Sequence, residues 1–401
     1  MAERVRVLYV LFEGLPETVI DSQVAEHIRM VREGLGWDFE LWAFACTSNG
    51  MARSLRRRDA VESHTGCQVR VLRGVRPAVP SSRRLNGLQL SRAIGNGRPP
   101  FDLVHARTDY TAATMGPVAR RHGLPMIWDC RGDSVAEFEA RADQGGLASN
   151  LLRRWRSANL VEDRRVAAHH AAAALFVSEP LQALCTPQLG DKPAAVIPCV
   201  ASQKDMYFSP DLRQSTRAAL SMPDDLTVFV YSGSLAAYQC FAQTVDLFRS
   251  VHAVRPQTHL LVLTPQKAQA DEILSSLPQG SFTSVSARYR EVNAYLNAAD
   301  LAFMLREDTP VNRVASPTKF AEYCLAGLPV IMTDAVRDSA IMADRIGNWV
   351  APEPQAILAA PVPGRAVIAQ RAGELLSRSR YLSSYEKLCN NIRRRCAGGE
   401  G

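Results

Sequence analysis

A short segment late in the chain, residues 316–331, combines a lysine and a hydroxyl at the start of a predicted helix. Ser316 is predicted as the N-cap and Pro317 as the first helical residue, where a missing N–H has no cost. The first N–H groups of a helix have no intrahelical acceptor and, together with the helix dipole, they favour an anion. The segment therefore predicts an anion site at Thr318 and Lys319.

The same helix carries an acid one turn further on and has a clear end. Glu322 shares a face with Thr318, four residues before it, and lies within reach of a diol attached to a bound phosphate. Gly327 supplies the left-handed position that ends the helix, and Pro329 prevents its continuation. Together these features are typical of a site for a phosphate ester that carries hydroxyl groups.

Two other classes of phosphate site lack their sequence fingerprints. The turns that open the two predicted βα series read Phe-Glu-Gly-Leu-Pro at 12–16 and Tyr-Ser-Gly-Ser-Leu at 231–235. Neither contains G-x-G-x-x-G, and the chain has no G-x-x-x-x-G-K-[ST]. A nicotinamide-dependent oxidoreductase and a P-loop enzyme are therefore disfavoured.

The elements that would position this helix form two βα series. Strands are predicted at 5–12, 39–45, 69–72, 103–107, 126–130, 173–177 and 195–198, and then at 226–231, 259–263, 282–285, 301–305 and 328–332. Helices are predicted at 20–35, 111–122, 151–170, 240–254, 266–274, 291–298, 318–326 and through most of 365–395, with an irregular loop over 133–150. Apolar strands that alternate with helices indicate parallel sheets covered on both faces.

The predicted fold class is therefore α/β, with two Rossmann-like domains whose parallel sheets face each other across a cleft. The expected boundaries are 1–200 for a first, acceptor-binding domain and 201–378 for a second, donor-binding domain. Residues 379–401 are expected to form a C-terminal helix and a frayed tail.

Composition places the chain among ordinary globular proteins. Its 401 residues are 47% hydrophobic and 22% charged, which excludes a disordered chain. No apolar run reaches the roughly 18–20 residues that cross a bilayer, and the amino end enters a strand without a signal-peptide pattern. The nine cysteines form no C-x-x-C pair, so we expect reduced thiols and no metal site. A cytoplasmic protein is predicted.

Positive charge is concentrated in the first half of the chain. No acid lies between Glu62 and Asp102, whereas this stretch and the residues just upstream of it carry many arginines: Arg53, Arg56, Arg57, Arg58, Arg70, Arg73, Arg76, Arg83, Arg84, Arg92 and Arg98. Two interpretations stay open: a solvated surface, or a patch for anionic lipid headgroups or a phosphorylated acceptor. The second would place the protein peripherally at the inner face of the membrane. No nucleic-acid motif accompanies the charge.

The segment Ser-Pro-Thr-Lys-Phe-Ala-Glu-Tyr at 316–323, followed by Ala-Gly-Leu-Pro-Val-Ile at 326–331, is similar to the donor-site signature of GT-B glycosyltransferases of the retaining family 4. Residues 228–235 resemble the opening strand and turn of that family's donor domain, and 297–301 resemble the strand entry before the donor site. Residues 103–107 and 127–132 resemble acceptor-domain strand ends of a bacterial envelope-polysaccharide subgroup, and 196–200 match the strand that leads into the interdomain linker. The likeness covers nearly the whole chain.

The resemblance implies metal-independent transfer of a hexosyl group from a nucleoside diphosphate sugar, a co-substrate for which a UDP-sugar is favoured. The implied catalytic residues are Arg131, Asp129, Lys319 and Glu322. The implied donor-binding residues are Gly14, Gly233, Ser234, Tyr289, Arg290, Arg306, Ser316, Pro317, Thr318, Lys319 and Glu322. Asp21, His105 and Arg107 are candidate acceptor-binding residues. No cofactor is expected, and the leaving phosphate would take the acceptor proton in a front-face substitution.

Four positions depart from the family pattern. Val314 stands where many members have a carboxylate, Ser234 and Gln239 stand where many have an arginine and a lysine, and Arg131 replaces a frequent histidine. Arg131 would face the donor sugar or acceptor, or would form a structural pair with Asp129.

Three further positions keep two interpretations each. Arg306 would face phosphate or would form a surface salt bridge with Glu307 or Asp308. Asp21 would line the acceptor mouth or cap the first helix, and His105, like Arg107 a weaker candidate, would be a satisfied core residue.

The predicted function is sugar transfer to a lipid-linked or polysaccharide acceptor of the cell envelope. The alternatives are transfer to a soluble natural product and non-catalytic binding of a sugar nucleotide. Substitution of Glu322 or Lys319 by alanine would then abolish transfer without unfolding the protein.

Overall fold

The computed structural model describes residues 5–16, 20–95, 97, 100–140, 147–359 and 364–397. Arg98 of the predicted basic region and residues 398–401 of the predicted tail lie outside this part. The chain forms two compact units: Met1–Pro198 together with Tyr381–Gly401, and Cys199–Arg380. The predicted C-terminal helix therefore belongs to the first unit.

The first unit is built on a seven-stranded sheet in the order β3-β2-β1-β4-β5-β6-β7, in which every pair is parallel. Its strands are β1 Arg6–Leu11, β2 Asp38–Ala45, β3 Gln68–Arg73, β4 Leu103–Arg107, β5 Met126–Cys130, β6 Ala173–Phe176 and β7 Ala194–Val196. Every residue of β4 and β5 is buried, because helices cover both faces of the sheet.

The helices of this unit alternate with its strands. They are α1 Glu26–Leu35, preceded by a π-helical turn Ile20–Ala25, then α2 Ser48–Thr65, α3 Ser82–Ile94, α4 Asp109–Arg121, α5 Ser134–Ala140, α6 Leu147–His170, α7 Glu179–Leu189 and the C-terminal α17 Leu382–Ala397. The strand order reverses between β1 and β4. At such a switch point a crevice opens outside the carboxyl ends of the strands.

The second unit has a six-stranded parallel sheet in the order β10-β9-β8-β11-β12-β13. Its strands are β8 Thr227–Ser232, β9 Thr258–Leu263, β10 Phe282–Val285, β11 Leu301–Met304, β12 Val330–Met332 and β13 Trp349–Val350. The switch point lies between β8 and β11. The turn after β8 and the residues after β11 therefore meet at one place.

The helices of the second unit are α8 Pro210–Ala219, α9 Phe241–Val254, α10 Lys267–Leu274, α11 Tyr289–Ala298, α12 Pro310–Arg313, α13 Thr318–Leu325, α14 Arg337–Ile346, α15 Pro354–Ala359 and α16 Arg365–Leu376. Short 3-10 turns lie at Ala237–Gln239 and Arg378–Tyr381. The core combines aromatic and aliphatic side chains of β8, β9 and β11 with those of α9.

The α/β class with two parallel sheets is confirmed, whereas one predicted loop is wrong. Within 133–150, residues Ser134–Ala140 and those from Leu147 onward are helical, and 141–146 lie outside the described residues. Ser134 and Asp133 are held by neighbouring polar groups, contacts that a local pattern does not reveal. In the described part of the chain, no helix combines the length and apolarity needed to cross a bilayer.

Candidate functional site

The predicted anion helix is α13, and its start differs from the prediction by one residue. Pro317 is the N-cap, with φ −70° and ψ 120°, and its carbonyl accepts a hydrogen bond of 3.1 Å from the N–H of Phe320. Ser316 does not cap the helix, because its hydroxyl accepts a 2.9 Å hydrogen bond from the N–H of Cys199. Thr318 is thus the first helical residue. Ser316 instead bonds to Cys199, the first residue of the second unit.

Two cationic side chains converge on one amide at this helix start. Gln239 Oε1 accepts from Lys319 Nζ and, at 3.3 Å, from Arg306 Nη2. Arg306 also donates to the carbonyl of Leu305 at 2.7 Å. A neutral oxygen cannot offset two positive charges, so the arrangement favours an anion.

Arg306 follows β11 and is only 5% exposed, so the predicted surface salt bridge is wrong. The acids that follow it have other partners: Asp308 pairs with Arg313 at 2.7 Å, and Glu307 accepts from Gln243 at 3.1 Å. Burial lowers the pKa of the Arg306 guanidinium from its usual range. This buried cation therefore adds positive potential at the switch point.

Two neighbouring features disfavour the charged form of the Lys319 amine. Burial, reinforced by the charge of Arg306, holds its pKa well below the usual lysine value, and Glu322 opposes this shift. The ammonium lies 4.9 Å from the ring centroid of Tyr231, a cation–π distance. A bound diphosphate would act in the opposite direction, because a nearby negative charge favours the charged form of the amine.

Glu322 lies one turn along α13 and is 8% exposed. Burial raises the pKa of its carboxyl to about 7, against the opposing charges of Lys319 and Arg378. A carboxylate in this position can accept hydrogen bonds from two neighbouring hydroxyls. The spacing in the sequence therefore places the carboxyl group of Glu322 close to the amine of Lys319.

The turn after β8 passes directly beneath the lysine. Gly233 has φ +147°, and a Cβ there would lie 2.6 Å from Lys319 Nζ and 3.0 Å from Gln239 Oε1. Ser234 Oγ accepts from Gln239 Nε2 at 3.1 Å. The hydroxyl of Tyr323 accepts from the N–H of Ser232 at 2.8 Å and so joins this turn to α13.

Replacing Gly233 by alanine is expected to displace the Lys319 amine and weaken anion binding. Loss of one charge-assisted hydrogen bond, worth about 1.5–3 kcal/mol, would lower affinity by roughly tenfold or more. Titration calorimetry with pyrophosphate measures this change. Gly364→Ala is the matched control, because a Cβ at Gly364 meets nothing within 4 Å and its φ is −55°. Equal affinities in the two variants would contradict the prediction.

Tyr289 and Arg290 lie inside α11 rather than before it. The helix begins at Tyr289, with Arg288 as its N-cap, and the N–H of Arg288 donates to Glu291 Oε2 at 2.8 Å. The predicted start at 291 was late because the cap is supplied by the side chain of Glu291, and no serine or aspartate marks the start of the helix. The contact of Tyr289 and Arg290 with a nucleotide base stays a prediction.

A second polar cluster lies in the first unit, centred on Asp129 at the end of β5. Asp129 is buried, Oδ1 accepts from Arg131 Nη1 at 3.3 Å, and Oδ2 accepts from the hydroxyl of Tyr9 at 3.3 Å. Burial alone would raise the pKa of Asp129, but Arg131, His105 and Arg107 hold it well below its usual range. The predicted Asp129–Arg131 pair is thus present, whereas its catalytic role stays a prediction.

Arg107 and Arg131 both donate hydrogen bonds to Gln23, which lies in the π-helical turn Ile20–Ala25 before α1. Gln23 Oε1 accepts from Arg107 Nη2 at 2.9 Å and from Arg131 Nη2 at 3.1 Å. Arg107 Nε also donates to Glu13 Oε2 at 2.8 Å. Parallel pairing of Arg107 with Asp129 in β4 and β5 explains why these side chains meet.

His105 is a core residue with three buried neighbours. Its ring stacks on Tyr9 at a centroid distance of 4.3 Å, Nδ1 lies 3.1 Å from the hydroxyl of Tyr385, and Nε2 lies 3.2 Å from Asp129 Oδ2. This supports the core interpretation. Tyr385, on the C-terminal helix α17, was missed because nothing in the local sequence marks a partner 280 residues away.

Two predicted residues of the first loop and helix have local partners. Gly14 has φ +68°, and a Cβ there would lie 2.9 Å from Ser54 Oγ, so a side chain is excluded. Asp21 lies in the π-helical turn and pairs with Arg57 Nη2 at 2.6 Å. The predicted capping role of Asp21 is therefore wrong, and its contact with an acceptor stays a prediction.

Comparison with known proteins agrees with this architecture. Residues 22–199 match the family described as the glycosyl transferase 4-like domain. No match was found among curated protein sequences. The family match covers most of the first unit, including Asp129 and Arg131.

Solved structures share the fold over nearly the whole chain. A sucrose-phosphate synthase from Thermosynechococcus elongatus has 14% identity and a TM-score of 0.68, over 98% of this chain and 100% of that one. Alr3699/HepE from Anabaena, in complex with UDP and glucose, has 13% identity and a TM-score of 0.69, over 97% and 100%. WaaG, a glycosyltransferase of lipopolysaccharide biosynthesis, has 15% identity and a TM-score of 0.61, over 98% and 100%. The two parallel-sheet domains therefore have the GT-B fold that these structures share.

Proposed function

We propose that this chain is a retaining glycosyltransferase that binds a nucleoside diphosphate sugar in its second unit. The observation that carries the proposal is the convergence of Lys319 and Arg306 on the neutral oxygen of Gln239. Buried cations whose charge is not fully balanced bind anions strongly. A diphosphate has two anionic phosphate groups, one for each of the two cations. The glycosyl transferase 4-like match in the first unit supports sugar transfer as the chemistry.

The donor would be read from phosphate to base along α13 and its neighbours. The diphosphate would contact Lys319, Arg306 and the start of α13 at Pro317 and Thr318. Glu322, one turn on, would accept hydrogen bonds from the ribose diol. The start of α11, at Tyr289 and Arg290, would meet the base. A UDP-sugar is favoured because Alr3699/HepE was crystallised with UDP and with UDP-glucose.

The chemical step would use positive potential rather than a metal ion. The acceptor oxygen bonds to the anomeric carbon on the face from which the diphosphate leaves, the C–O bond to the phosphate breaks, and the leaving phosphate takes the acceptor proton. Charge that develops on the phosphate is stabilised by Lys319 and Arg306. Arg131, held by Asp129 and Gln23, would face the donor sugar or the acceptor.

For the acceptor we favour a lipid-linked or polysaccharide intermediate of the cell envelope. The support is the arginine-rich stretch of α2, β3 and α3, in which Arg53, Arg56, Arg58, Arg84 and Arg92 are exposed. Such a surface suits anionic lipid headgroups and peripheral membrane contact. A soluble acceptor is the alternative, since AviGT4, a glycosyltransferase of avilamycin A biosynthesis, has the same fold at 12% identity and a TM-score of 0.55.

Thermal denaturation with UDP-, GDP-, ADP- and dTDP-sugars tests the donor assignment. A ligand that binds only the folded state raises its stability, by about 2.7 kcal/mol at a hundredfold excess over Kd. We expect one UDP-sugar to raise the melting temperature more than the other nucleotides, and Arg306→Gln to remove that increase. No increase with any nucleotide sugar or with pyrophosphate would overturn the donor site. An increase without hydrolysis or transfer would favour a non-catalytic binding protein.

A further inference from the structure

The first half of α6 exposes large apolar side chains to solvent. Leu151 is 69% exposed, Leu152 49% and Trp155 38%. Leu151 and Trp155 are four residues apart, and Leu152 and Trp155 are three apart, so the three side chains share one side of the helix. Single exposed apolar residues need no explanation, but a cluster that includes a tryptophan marks an interaction surface.

Positive charge is interleaved with these residues. Arg153, Arg154 and Arg156 occupy the same two turns, and Arg154 is exposed. In the sequence no acidic residue lies between Asp143 and Glu162. We call residues 151–156 the α6 tip. Its chemistry is apolar, aromatic and cationic, which matches the boundary between the acyl chains and the phosphates of an anionic bilayer.

The position of the tip follows from the contacts in the middle of α6. Arg164 Nη2 lies 2.7 Å from Asp133 Oδ1, and Asp163 Oδ1 lies 3.2 Å from Arg83 Nε at the start of α3. Asp133 follows β5, so this level of α6 coincides with the carboxyl-terminal edge of the sheet. The twelve steps along the helix from Leu151 to Asp163 span about 18 Å. The tip therefore projects beyond the edge that carries Arg107 and Asp129.

We propose that the α6 tip inserts shallowly into the surface of a bilayer that contains anionic lipid. The leucines would enter the acyl boundary, Trp155 would lie at headgroup level, and the arginines would contact lipid phosphates. This binding goes beyond sugar transfer and needs no donor. It bears on the proposed function in one respect: it would bring the polar cluster of the first unit to the surface where a lipid-linked acceptor is anchored.

Sedimentation of the full chain with vesicles of equimolar phosphatidylglycerol and phosphatidylcholine tests the proposal without any sugar nucleotide. We expect salt-sensitive binding, weaker with pure phosphatidylcholine. The double variant Arg153→Gln, Arg154→Gln is expected to reduce partitioning by roughly tenfold. Arg120→Gln, Arg121→Gln is the matched control, because these arginines are exposed at the far end of α4 in the same unit. Equal loss in both pairs would reduce the effect to net charge and overturn the role of the tip.

The apolar component has its own test. Leu151→Asn, Leu152→Asn, Trp155→Asn is expected to abolish sedimentation, whereas Leu184→Asn, on the exposed side of α7, leaves it unchanged. Tryptophan emission of the native chain should shift to shorter wavelength with anionic vesicles, and Trp155→Phe should remove the shift while binding persists. Undiminished binding of the triple variant would overturn the proposal. So would self-association that the triple variant abolishes, detected by light scattering in the absence of vesicle binding.

Discussion

Replacement of Glu322 by glutamine is expected to lower kcat/KM by at least about a hundredfold and, at pH 8, to raise the melting temperature of the free protein. The first effect follows because an amide offers only one acceptor oxygen to a diol that the carboxylate would hold with two. Each charge-assisted hydrogen bond lost costs about 1.5–3 kcal/mol. The second effect follows from burial of the acid, because glutamine has a similar shape but carries no charge.

The pH dependence of this stabilisation has a definite sign. The pKa of Glu322 is about 7 in the folded chain and about 4.5 without burial. A raised pKa means that the protonated acid favours folding at low pH, and this contribution is lost as pH rises from about 4.5 through 7. Above pH 7 the buried carboxylate costs on the order of 3 kcal/mol. The glutamine variant should therefore gain several degrees at pH 8 and almost nothing at pH 4.5.

Paired melting curves across this pH range, together with steady-state transfer assays, measure both effects. Glu272→Gln is the matched control, since Glu272 is an exposed glutamate on α10 of the same unit. It should change neither the rate nor the melting temperature. A glutamine variant at position 322 that keeps full activity, or that melts lower at pH 8 than the native chain, would contradict the assignment.

Replacement of Lys319 by alanine is expected to remove most of the binding of the donor diphosphate. Loss of one preorganised donor to a developing oxyanion costs on the order of a hundredfold in rate. Because burial and Arg306 destabilise the charged form of this amine, the variant should fold at least as well as the native chain. Activity would then be lost without loss of structure.

Pyrophosphate distinguishes this loss from a general defect. It should stabilise the native chain against heat and give little stabilisation to Lys319→Ala, because the cation that would meet the phosphate is gone. Lys267→Ala serves as control: Lys267 is exposed on α10 and pairs with Asp271 at 2.6 Å. Stabilisation by pyrophosphate of equal size in all three proteins would place the anion site elsewhere.

The site residues that lie close together in sequence were predictable from it. Thr318, Lys319 and Glu322 lie within two turns of one helix, and helical periodicity alone puts them on a common side. The exact cap was not predictable, since Ser316 is the better candidate by residue type. Its hydroxyl accepts a hydrogen bond from the N–H of Cys199, 117 residues earlier in the chain, and Pro317 is the N-cap instead.

The partners of these residues required the fold. Gln239 departs from the family pattern, yet it accepts hydrogen bonds from both cations. Lys319 is 80 residues away from it in sequence and Arg306 is 67 residues away. Likewise, Tyr385 of the last helix bonds to His105 of β4. Residue type predicts neither set of contacts, because each contact depends on how strands and helices that are distant in sequence are placed in the fold.

The sequence by itself determined the α/β class, the parallel strands and the anion-binding helix, because apolar periodicity and helix-end chemistry are local properties. Only the tertiary structure decided which side chains meet. In each unit the strand order reverses at one point, and this reversal brings together residues at or after the ends of strands far apart in the chain. They are Gln239 and Arg306 in one unit, and Glu13 and Arg107 in the other. Burial at that point, which no local pattern reports, then set the raised pKa of Glu322 and the lowered pKa of Lys319.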